Sequence, residues 1–531
     1  MMRYLGALTV GVVLVAAALE PTWAQKPSGI LRVHQWDSPP SLSIHEEATI
    51  ATLVPMMGVF NNLVMYYQHV PQNSMASIVP DLATSWSWSE DGTQLTFRLR
   101  EGVRWHDGRL LTARDVQCTW DLLLGKASEK LRANPRKAWY QNLDEVTVDG
   151  DLTATFHLKR PQPALIALLA SGYSPVYPCH VSPRDMRQHP IGTGPFKFVE
   201  FKPYEHITVT RNADYWKPDR PYLDGIEYTI VPNRSTAILA FIAGKFDLTF
   251  PYLGVTVPLL KDVKSQLPGA ICEVRTTNGA GTVIINRHKA PFDNPDLRRA
   301  LALSLDRRSF IDILTEGQGK IGAAMMPPPE GVWGMPTDML SALPGYDPDV
   351  AENRAEARTL MQKLGYGPDH RLAVKVAARN IPLVRDPAVI LIGQLKEIYI
   401  DGELDIIETA QWFTRLARRD YQIGFVFIGG SVDDPDQQLY ENYACGSERN
   451  YSGYCNAEAD ELFNRQSMEA DQEKRKQLVW EIDKKLQQEG ARPIVYYDVG
   501  ATCWRPQLKG LTTMVNSGFN GWRMEDVWLD K

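Results

Sequence analysis

"VPDLATSWSWSEDGTQLTFRLREGVRWHDGRLLTARDV" (residues 79–116) contains the clearest structural signal in the chain. Trp86 and Trp88 alternate with polar residues, and the Asp91-Gly92 pair that follows is typical of a tight turn. Apolar residues alternate again in the LTFRL run beyond the turn. The stretch therefore predicts a β-hairpin whose tryptophans face a core, and a stacking platform for a sugar is the alternative use of the same spacing.

Further strands are predicted on the C-terminal side of this hairpin. "VTVDGDLTATFHL" (residues 146–158) repeats the pattern around Asp149-Gly150, which predicts a second hairpin. "HITVTRN" (residues 206–212) and "IEYTIV" (residues 226–231) show the same alternation. The first half of the chain is therefore expected to be rich in strands.

The second half alternates predicted helices with predicted strands. Residues 293–314 form one predicted helix with Asn294 and Pro295 at its start, and residues 386–398 form another with Pro387 in its first turn. A third predicted helix lies in residues 471–489 and a strand follows it. This alternation predicts an α/β domain with a largely parallel sheet.

The N-terminus has the layout of a secretory signal peptide over residues 1–24. Arg3 precedes an uncharged apolar stretch, and a small residue, Ala24, precedes Gln25. The 531-residue chain has a net charge of −6 and contains no block of basic residues, which argues against nucleic-acid binding. No later segment is apolar enough to cross a bilayer, and the length predicts two or three domains.

Six cysteines are present, and export places them in an oxidising compartment. Cys445 and Cys455 bracket a short polar loop, so we predict that they form a disulfide. A metal site at this pair is the weaker interpretation, because no histidine or second cysteine pair has ligand spacing around it.

Catalytic motifs are absent from the sequence. It lacks the G-x-S-x-G, H-E-x-x-H, Walker and Rossmann patterns, and no cofactor or metal is expected. His106 is expected to be a surface residue. Asp433, Asp434 and Asp436 surround a proline, where they predict either a solvated or helix-capping turn, an acid–base carboxylate pair, or a calcium site. The balance favours a binding protein.

Several long motifs resemble the family 5 extracytoplasmic solute-binding proteins, the peptide, dipeptide and nickel receptors of ABC importers. They are the opening stretch together with "IGTGPFKFVEF", "RNADYWKPDRPYLDGIEYTIV" and "DLRRALALSLDRRSFIDIL", in the family's order. The resemblance covers nearly the whole mature chain.

The resemblance implies an α/β, two-lobe periplasmic binding protein fold of type II, similar to cluster C, with an additional small domain in the first lobe. The chain is expected to cross into the second lobe near residues 272–286 and to return near Val499. Cys272 and Cys503 lie near these crossings, and we predict that they pair; no pairing is predicted for Cys118 and Cys179. The expected division is residues 1–24 for the signal peptide, 25–49, 190–271 and 500–531 for the first lobe, 50–189 for the small domain, and 272–499 for the second lobe.

Function follows from the same resemblance. It implies a monomeric periplasmic receptor that closes on a peptide or other small polar solute and meets an ABC permease in the membrane. In the dipeptide receptors the cysteine-bracketed loop lies near the cleft, and an aspartate for the ligand's α-ammonium precedes it. That position falls on Ser431 in this sequence.

Ligand contacts are expected where predicted strands end at the cleft. Trp36 and Tyr451 are predicted to stack on the ligand, Arg379 to pair with a carboxylate, and an aspartate to meet a cation. The alternative is that Trp36 packs between the lobes and Arg379 makes an internal salt bridge. The full set of predicted ligand-binding residues is Trp36, Asp37, Arg379, Asn380, Ser431, Asp433, Asp434 and Tyr451.

Two other functions remain open from the sequence. A secreted carboxylate-dependent hydrolase would use Asp433 and Asp434 as its acid–base pair. A ligand-sensing receptor would serve a membrane partner other than a permease.

Overall fold

Residues 29–516 and 518–530 are described by a computed structural model. The predicted signal peptide, residues 1–24, lies outside them. In the described ranges, no helix is both long and apolar enough to span a bilayer.

The strands of the described residues vary from two to fifteen residues in length. In chain order they are β1 Ile30–Gln35, β2 Val64–Tyr66, β3 Ile78–Pro80, β4 Ala83–Trp88, β5 Gln94–Leu99, β6 Leu143–Asp149, β7 Thr153–Leu158, β8 Phe196–Lys202, β9 His206–Arg211, β10 Gly225–Ile230, β11 Val255–Thr256, β12 Ile271–Ile285, β13 Leu372–Arg379, β14 Ile400–Ile407, β15 Ile423–Gly429, β16 Ile494–Trp504, β17 Leu508–Lys509 and β18 Trp528–Leu529.

Most helices follow the crossing from the first half of the chain to the second. The α-helices of the described residues are α1 Ile50–Met56, α2 Ala113–Leu124, α3 Leu165–Ala170, α4 Pro183–Met186, α5 Arg234–Ile242, α6 Val257–Gln266, α7 Pro295–Leu303, α8 Arg307–Thr315, α9 Thr337–Ser341, α10 Val350–Lys363, α11 Pro382–Lys396, α12 Thr409–Ala417, α13 Pro435–Asn442, α14 Ala457–Met468 and α15 Gln472–Gln488. Short 3₁₀ helices lie at Met57–Val59, Met75–Ser77, Lys137–Tyr140 and Gly518–Asn520.

The first lobe is built on a four-stranded sheet in the order β1-β10-β9-β8. A second four-stranded sheet, β4-β5-β7-β6, is fully antiparallel and contains both predicted hairpins. Helix α2 packs on it, where Trp120 meets the ring of Phe156 edge-on at 4.8 Å. Trp86 and Trp88 pack partly buried against this core, so the core interpretation of the tryptophans is confirmed and the sugar platform is not.

The second lobe is built on the six-stranded sheet β11-β16-β12-β15-β13-β14. Strand β13 pairs in parallel with β14 and β15, whereas β12 pairs antiparallel with both β15 and β16. The prediction of a largely parallel sheet is therefore wrong. The sheet is mixed because the two strands that connect the lobes run in opposite directions through it.

Strands β12 and β16 connect the two lobes. Their ladder pairs Ile271 with Trp504 at the first-lobe end, and its register shifts between Thr276 and Ala280. The disulfide Cys272–Cys503 joins the strands on the first-lobe side of this shift. The crossing thus consists of a disulfide-linked β-ladder followed by an irregular segment. Such an irregular segment can change its backbone dihedral angles with less disruption of the ladder.

Two helix predictions differ from the structure. Residues 293–314 form two helices, α7 and α8, because Asp306 starts a new helix by accepting a hydrogen bond from the backbone N–H of Ser309 at 3.0 Å. Helix α11 begins at Pro382, so Pro387 lies inside it and not in its first turn. A proline already stands at the first-turn position, and the second proline is tolerated within the helix.

The glycine motif "IGTGPF" lies against the main chain of the first lobe. A Cβ atom on Gly192 would lie 1.9 Å from the carbonyl oxygen of Val59, so only glycine allows this approach. His106 secures the loop, because its Nδ1 accepts from the N–H of Gly192 and its Nε2 lies 3.0 Å from the oxygen of Gly194. Burial lowers the pKa of His106 to about 4. The prediction of an ordinary surface histidine is therefore wrong.

All six cysteines are paired. The predicted disulfides Cys445–Cys455 and Cys272–Cys503 are both present. Cys118 pairs with Cys179, joining α2 to the segment before α4.

Candidate ligand-binding site

A cavity lies between the two lobes, with about 610 Å³ of atom-free space that is partly open to solvent. Both lobes contribute to its wall, which is rich in aromatic rings. The side chains that line it include Trp36, Thr49, Ile50, Tyr173, Tyr252, Arg379, Leu383, Trp412, Phe413, Phe427, Arg449 and Phe519. Within the described ranges, the lining includes two arginines and neither Asp nor Glu. The wall therefore suits a ligand with apolar surface and an anionic group.

Trp36 follows β1 and forms part of the cavity wall. Its ring stacks on Phe250 at 4.2 Å, which holds the indole in place. The indole nitrogen is buried and has no hydrogen-bond acceptor among the described residues. The ring therefore packs within the first lobe at the edge of the cavity, and its stacking on a ligand stays a prediction.

Arg379 ends strand β13 and also lines the cavity. One of its terminal nitrogens donates to Asp37 and Thr49 of the first lobe, and its Nε donates to Thr409 at 2.8 Å. The Thr409 hydroxyl in turn donates to Asp37 at 2.6 Å. The structure thus contains the internal salt bridge that was the alternative for Arg379, and this salt bridge joins the two lobes.

The neighbouring residue Asn380 is not brought into the cavity. Its side-chain amide donates to Glu408 at 2.7 Å on the exposed surface. Asp37 lies beside the cavity wall with its carboxylate fully engaged, because its Oδ1 also accepts from the N–H of Ser38. Neither residue is left free to contact a ligand in this closed arrangement.

Ser431 is fully buried at the contact between the lobes. It accepts a hydrogen bond at 3.0 Å from the hydroxyl of Ser171 on the first-lobe side. A neutral hydroxyl therefore lies at this point of the contact between the lobes. The residue closes the lobes on each other and supplies no charge.

The acidic turn lies outside the lining of the cavity. Asp433 accepts from the N–H of Val332 at 3.1 Å and from Asn516, and burial raises its pKa to about 7. Asp434 caps helix α13 and binds both terminal nitrogens of Arg475 at 2.8 Å. The turn is therefore a helix cap and a buried ion pair, as the capping interpretation predicted, with Asp434 buried and Asp433 partly exposed.

Asp436 completes the same network. It pairs with Arg475 at 3.1 Å and accepts from Gln466, Ser467 and, across the lobes, Gln162. The carboxylates that the hydrolase hypothesis required are thus held by structural partners. In the described part of the chain, no cluster of His, Cys, Asp and Glu could hold a metal ion.

The disulfide loop does reach the site. Tyr451 lines an adjoining cleft of about 1200 Å³ of atom-free space, part of it open solvent, which shares Phe413 and Arg449 with the cavity. The backbone oxygen of Tyr451 accepts from the hydroxyl of Tyr421 at 2.6 Å, which holds the loop against α12 and β15. The loop pinned by Cys445 and Cys455 therefore forms part of the wall.

The sequence did not single out several residues of the wall. Arg449 is the most important of them, and its place between the two cysteines was an available signal. Tyr173, Tyr252, Trp412 and Phe519 had none, because they come from four distant segments.

Comparison with known proteins agrees with this architecture. Residues 77–450 match the model of the bacterial extracellular solute-binding proteins, family 5 Middle. The chain is 27% identical over 447 residues to di/tripeptide-binding protein 1 of Pseudomonas aeruginosa, covering 79% of this chain and 80% of that protein.

Solved structures show the same fold. The OppA complex of Haemophilus influenzae with the peptide RPPGFSPFR superposes with a TM-score of 0.84 at 21% identity, over 95% of this chain and 99% of that one. The protein AgaA in complex with agropinic acid, from A. tumefaciens R10, superposes with a TM-score of 0.81 at 20% identity, over 95% and 99% of the two chains. Both likenesses establish the two-lobe fold.

Three observations now agree: a ring-lined cavity between two lobes, two strands that connect them, and a family match over most of the chain. Proteins of this family bind solutes outside the cytoplasmic membrane. The chain belongs to the bacterial extracellular solute-binding proteins of family 5.

Proposed function

We propose that this protein is the periplasmic receptor of an ABC importer, and that it captures a peptide or other small polar solute for delivery to a membrane permease. The observation that supports this most directly is the cavity whose wall is shared between the lobes. A ligand bound there contacts both lobes only when they are closed, so binding favours the closed form that a permease can recognise. The receptor acts as a monomer and releases its ligand unchanged.

The walls of the site support a small ligand. Both lobes line the cavity, and the adjoining cleft, part of it open to solvent, offers room for a longer group. The relative in Pseudomonas aeruginosa is a di/tripeptide-binding protein, and AgaA was solved with agropinic acid. Peptides and small acidic conjugates are therefore the first candidates.

The ligand can be sought on the protein itself. Protein exported to the periplasm and purified without refolding is expected to retain a small molecule, which native mass spectrometry would detect as a mass above that of the chain. The released molecule should raise the melting temperature of the emptied protein, because it binds only the folded state. It should also be recovered chemically unchanged after prolonged incubation. Turnover of the molecule, or no stabilisation by any solute in a broad peptide panel, would contradict the proposal.

A further inference from the structure

Three buried arginines lie near one another beside Tyr173 and Tyr451, and one of them lines the cavity. Arg136, Arg449 and Arg492 are 1%, 7% and 1% exposed, respectively. The guanidinium of Arg136 lies 3.5 Å from the ring centre of Tyr173, which itself lines the cavity. Arg449 lines the cavity directly. We call these three residues the arginine cluster.

One buried carboxylate, Glu441, contacts the cluster, and it does so through Arg449. Glu441 accepts from Arg449 with one oxygen and from the indole of Trp139 at 2.7 Å with the other. Arg136 donates to the backbone oxygens of Ile44 and Glu47, and Arg492 donates to the amide oxygen of Asn442. The cluster therefore carries more positive charge than Glu441 can neutralise.

Acidic residues in the surrounding segments are engaged elsewhere. The carboxylates of Glu46 and Glu47 pair with Arg187 and Arg132. Glu448 is exposed and accepts from the N–H of Asn134, so solvent screens its charge. The excess positive charge of the cluster is thus not cancelled by its surroundings.

Several N–H donors of the cluster have no acceptor among the described residues. They are the Nε and Nη2 atoms of Arg136, the Nε and Nη2 atoms of Arg492, and the Nε atom of Arg449. Burying a cation without a partner is costly, and buried donors are nearly always satisfied. Burial, reinforced by the charge of Arg449, lowers the pKa of Arg136. An anion beside the cluster would balance the buried positive charge and would accept hydrogen bonds from the unsatisfied N–H groups.

The cavity offers nothing comparable to a cation. Among its described lining residues none is acidic, Asp37 is engaged by Arg379 and Thr409, and Ser431 is neutral. The free ammonium group of a peptide would lose its hydration there without gaining a carboxylate. The glutamates that line the adjoining cleft, Glu46, Glu47 and Glu448, are paired with arginines or exposed to solvent. The cavity itself therefore favours the anionic end of a zwitterion.

We infer that the natural solute is an acid with a blocked amine: a carboxylate binds at Arg449, with Arg136 behind it, and no free ammonium group enters the cavity. N-acylated dipeptides and similar acidic conjugates belong to this class. The inference rests on the proposed receptor function and narrows its ligand.

Matched probes test the charge requirement. Calorimetry on the emptied protein would compare N-acetyl-Leu-Phe, an anion, with the zwitterion Leu-Phe and with the cation Leu-Phe amide. We expect the N-acetyl probe to bind at least about tenfold more tightly than Leu-Phe, and the amide to bind most weakly. Equal or tighter binding of either ammonium-bearing probe, or no binding of the N-acetyl probe at about 10 mM, would overturn the inference.

Variants test the role of the cluster. Arg449→Gln should weaken the N-acetyl probe at least about tenfold and leave the amide unaffected. Because Arg449→Gln leaves Glu441 unpaired, the double variant Arg449→Gln/Glu441→Gln removes both charges and should show the same loss in a folded protein. Arg308→Gln, on the exposed face of α8, is the control for a change of one net charge. Unchanged affinity in the double variant would place the anion elsewhere.

The two proposals fail in different ways. If the protein retains and is stabilised by a solute that carries a free ammonium group, the inference is wrong and the receptor function stands. If no solute from any class stabilises it, the receptor function itself is wrong.

Discussion

Arg379 illustrates how one side chain can act on closure without supporting the fold of either lobe. Its partners Asp37 and Thr49 belong to the first lobe, whereas Thr409 belongs to the second. When the lobes separate, Asp37 and Arg379 can both regain water. The free energy of this bridge therefore contributes to the closed form, and little of it contributes to the folding of each lobe.

Arg379→Ala should weaken ligand binding by roughly 2–4 kcal/mol, the scale for losing a buried charged contact. Its melting temperature without ligand should change little, because the open form does not need the bridge. Calorimetry and thermal unfolding would measure the two effects separately. Asn380→Ala, one residue further on and directed at the surface, is the matched control. A large loss of stability without ligand would show that Arg379 supports the fold.

Asp433 is a largely but not fully buried acid, and its contribution to stability depends on pH. Its pKa is about 7 in the folded protein against an ordinary value of 3.8, chiefly because burial disfavours the charged form. Between these values the folded state holds a proton that the unfolded chain has released. The contribution of Asp433 to stability is therefore complete below the lower value and is lost as the pH rises through about 7.

The variant Asp433→Asn should not lose stability in this way as the pH rises, because the asparagine side chain does not ionise. The amide oxygen can accept from Val332 and Asn516 as the carboxylate does. Because Asp433 is partly exposed, we expect the variant to gain about 1–2 kcal/mol on the wild type between about pH 5 and pH 8. Denaturant unfolding at both pH values would measure this gain. Asp434→Asn, which weakens the pair with Arg475, should instead cost roughly 3 kcal/mol. A difference in unfolding free energy between Asp433→Asn and the wild type that does not change with pH would contradict the raised pKa of Asp433.

Among the structural elements, the disulfides Cys272–Cys503 and Cys445–Cys455 have different roles. Cys272–Cys503 joins β12 to β16. The two cysteines are separated by 231 positions in the sequence, and the second lobe lies between them. Cys445–Cys455 spans only 10 residues and holds the loop that carries Arg449 and Tyr451 into the site. The first constrains the unfolded chain, whereas the second organises a binding surface.

Replacing each pair by serine should separate these effects. Cys272→Ser/Cys503→Ser should lower unfolding stability by roughly 2–5 kcal/mol and leave ligand affinity nearly unchanged, because the bond lies on the first-lobe side of the register shift. Cys445→Ser/Cys455→Ser should lower affinity more than stability. Each pair serves as the control for the other in calorimetry and denaturant unfolding. The opposite ranking would contradict this division.

The whole molecule is held in a closed form by side-chain contacts between its lobes. Besides the Arg379 bridge, Trp139 donates to Glu441 at 2.7 Å and Gln162 donates to Asp436 at 2.9 Å. The Ser171–Ser431 contact lies deeper in the same interface. The interface is polar, and polar contacts exchange readily with water. The free energy of closure is therefore expected to be small enough for a ligand to decide it.

The Ser171–Ser431 contact offers a direct test of closure. Their hydroxyl oxygens lie 3.0 Å apart, so Ser171→Cys/Ser431→Cys should form a disulfide only while the lobes are closed. We expect ligand to accelerate the crosslink, and the crosslinked protein to release ligand at least about a hundredfold more slowly. Ser171→Cys/Asn380→Cys, whose second cysteine lies on the surface, should not crosslink. An equal rate without ligand would contradict ligand-driven closure.

Much of this protein was determined by the sequence alone, through interactions between residues that are close along the chain. The Asp-Gly turns at 91–92 and 149–150 fixed two hairpins, and Asp471 marked the start of α15. The spacing of Cys445 and Cys455 indicated their disulfide. Turn dihedrals, caps and short loops depend on a few adjacent residues, so their free energies can be judged without the fold.

The ligand site, in contrast, depends on packing between residues that are far apart along the chain. Asp433 and Asp434 are adjacent, yet one is held near neutral pH as a partly protonated acid and the other is ion-paired, because Arg475 reaches only the second. Trp36, Arg379 and Arg449 meet at one cavity although hundreds of residues separate the first from the others. The charge and contacts of a buried side chain depend on burial and on partners that long-range packing selects, and the local sequence does not contain that information.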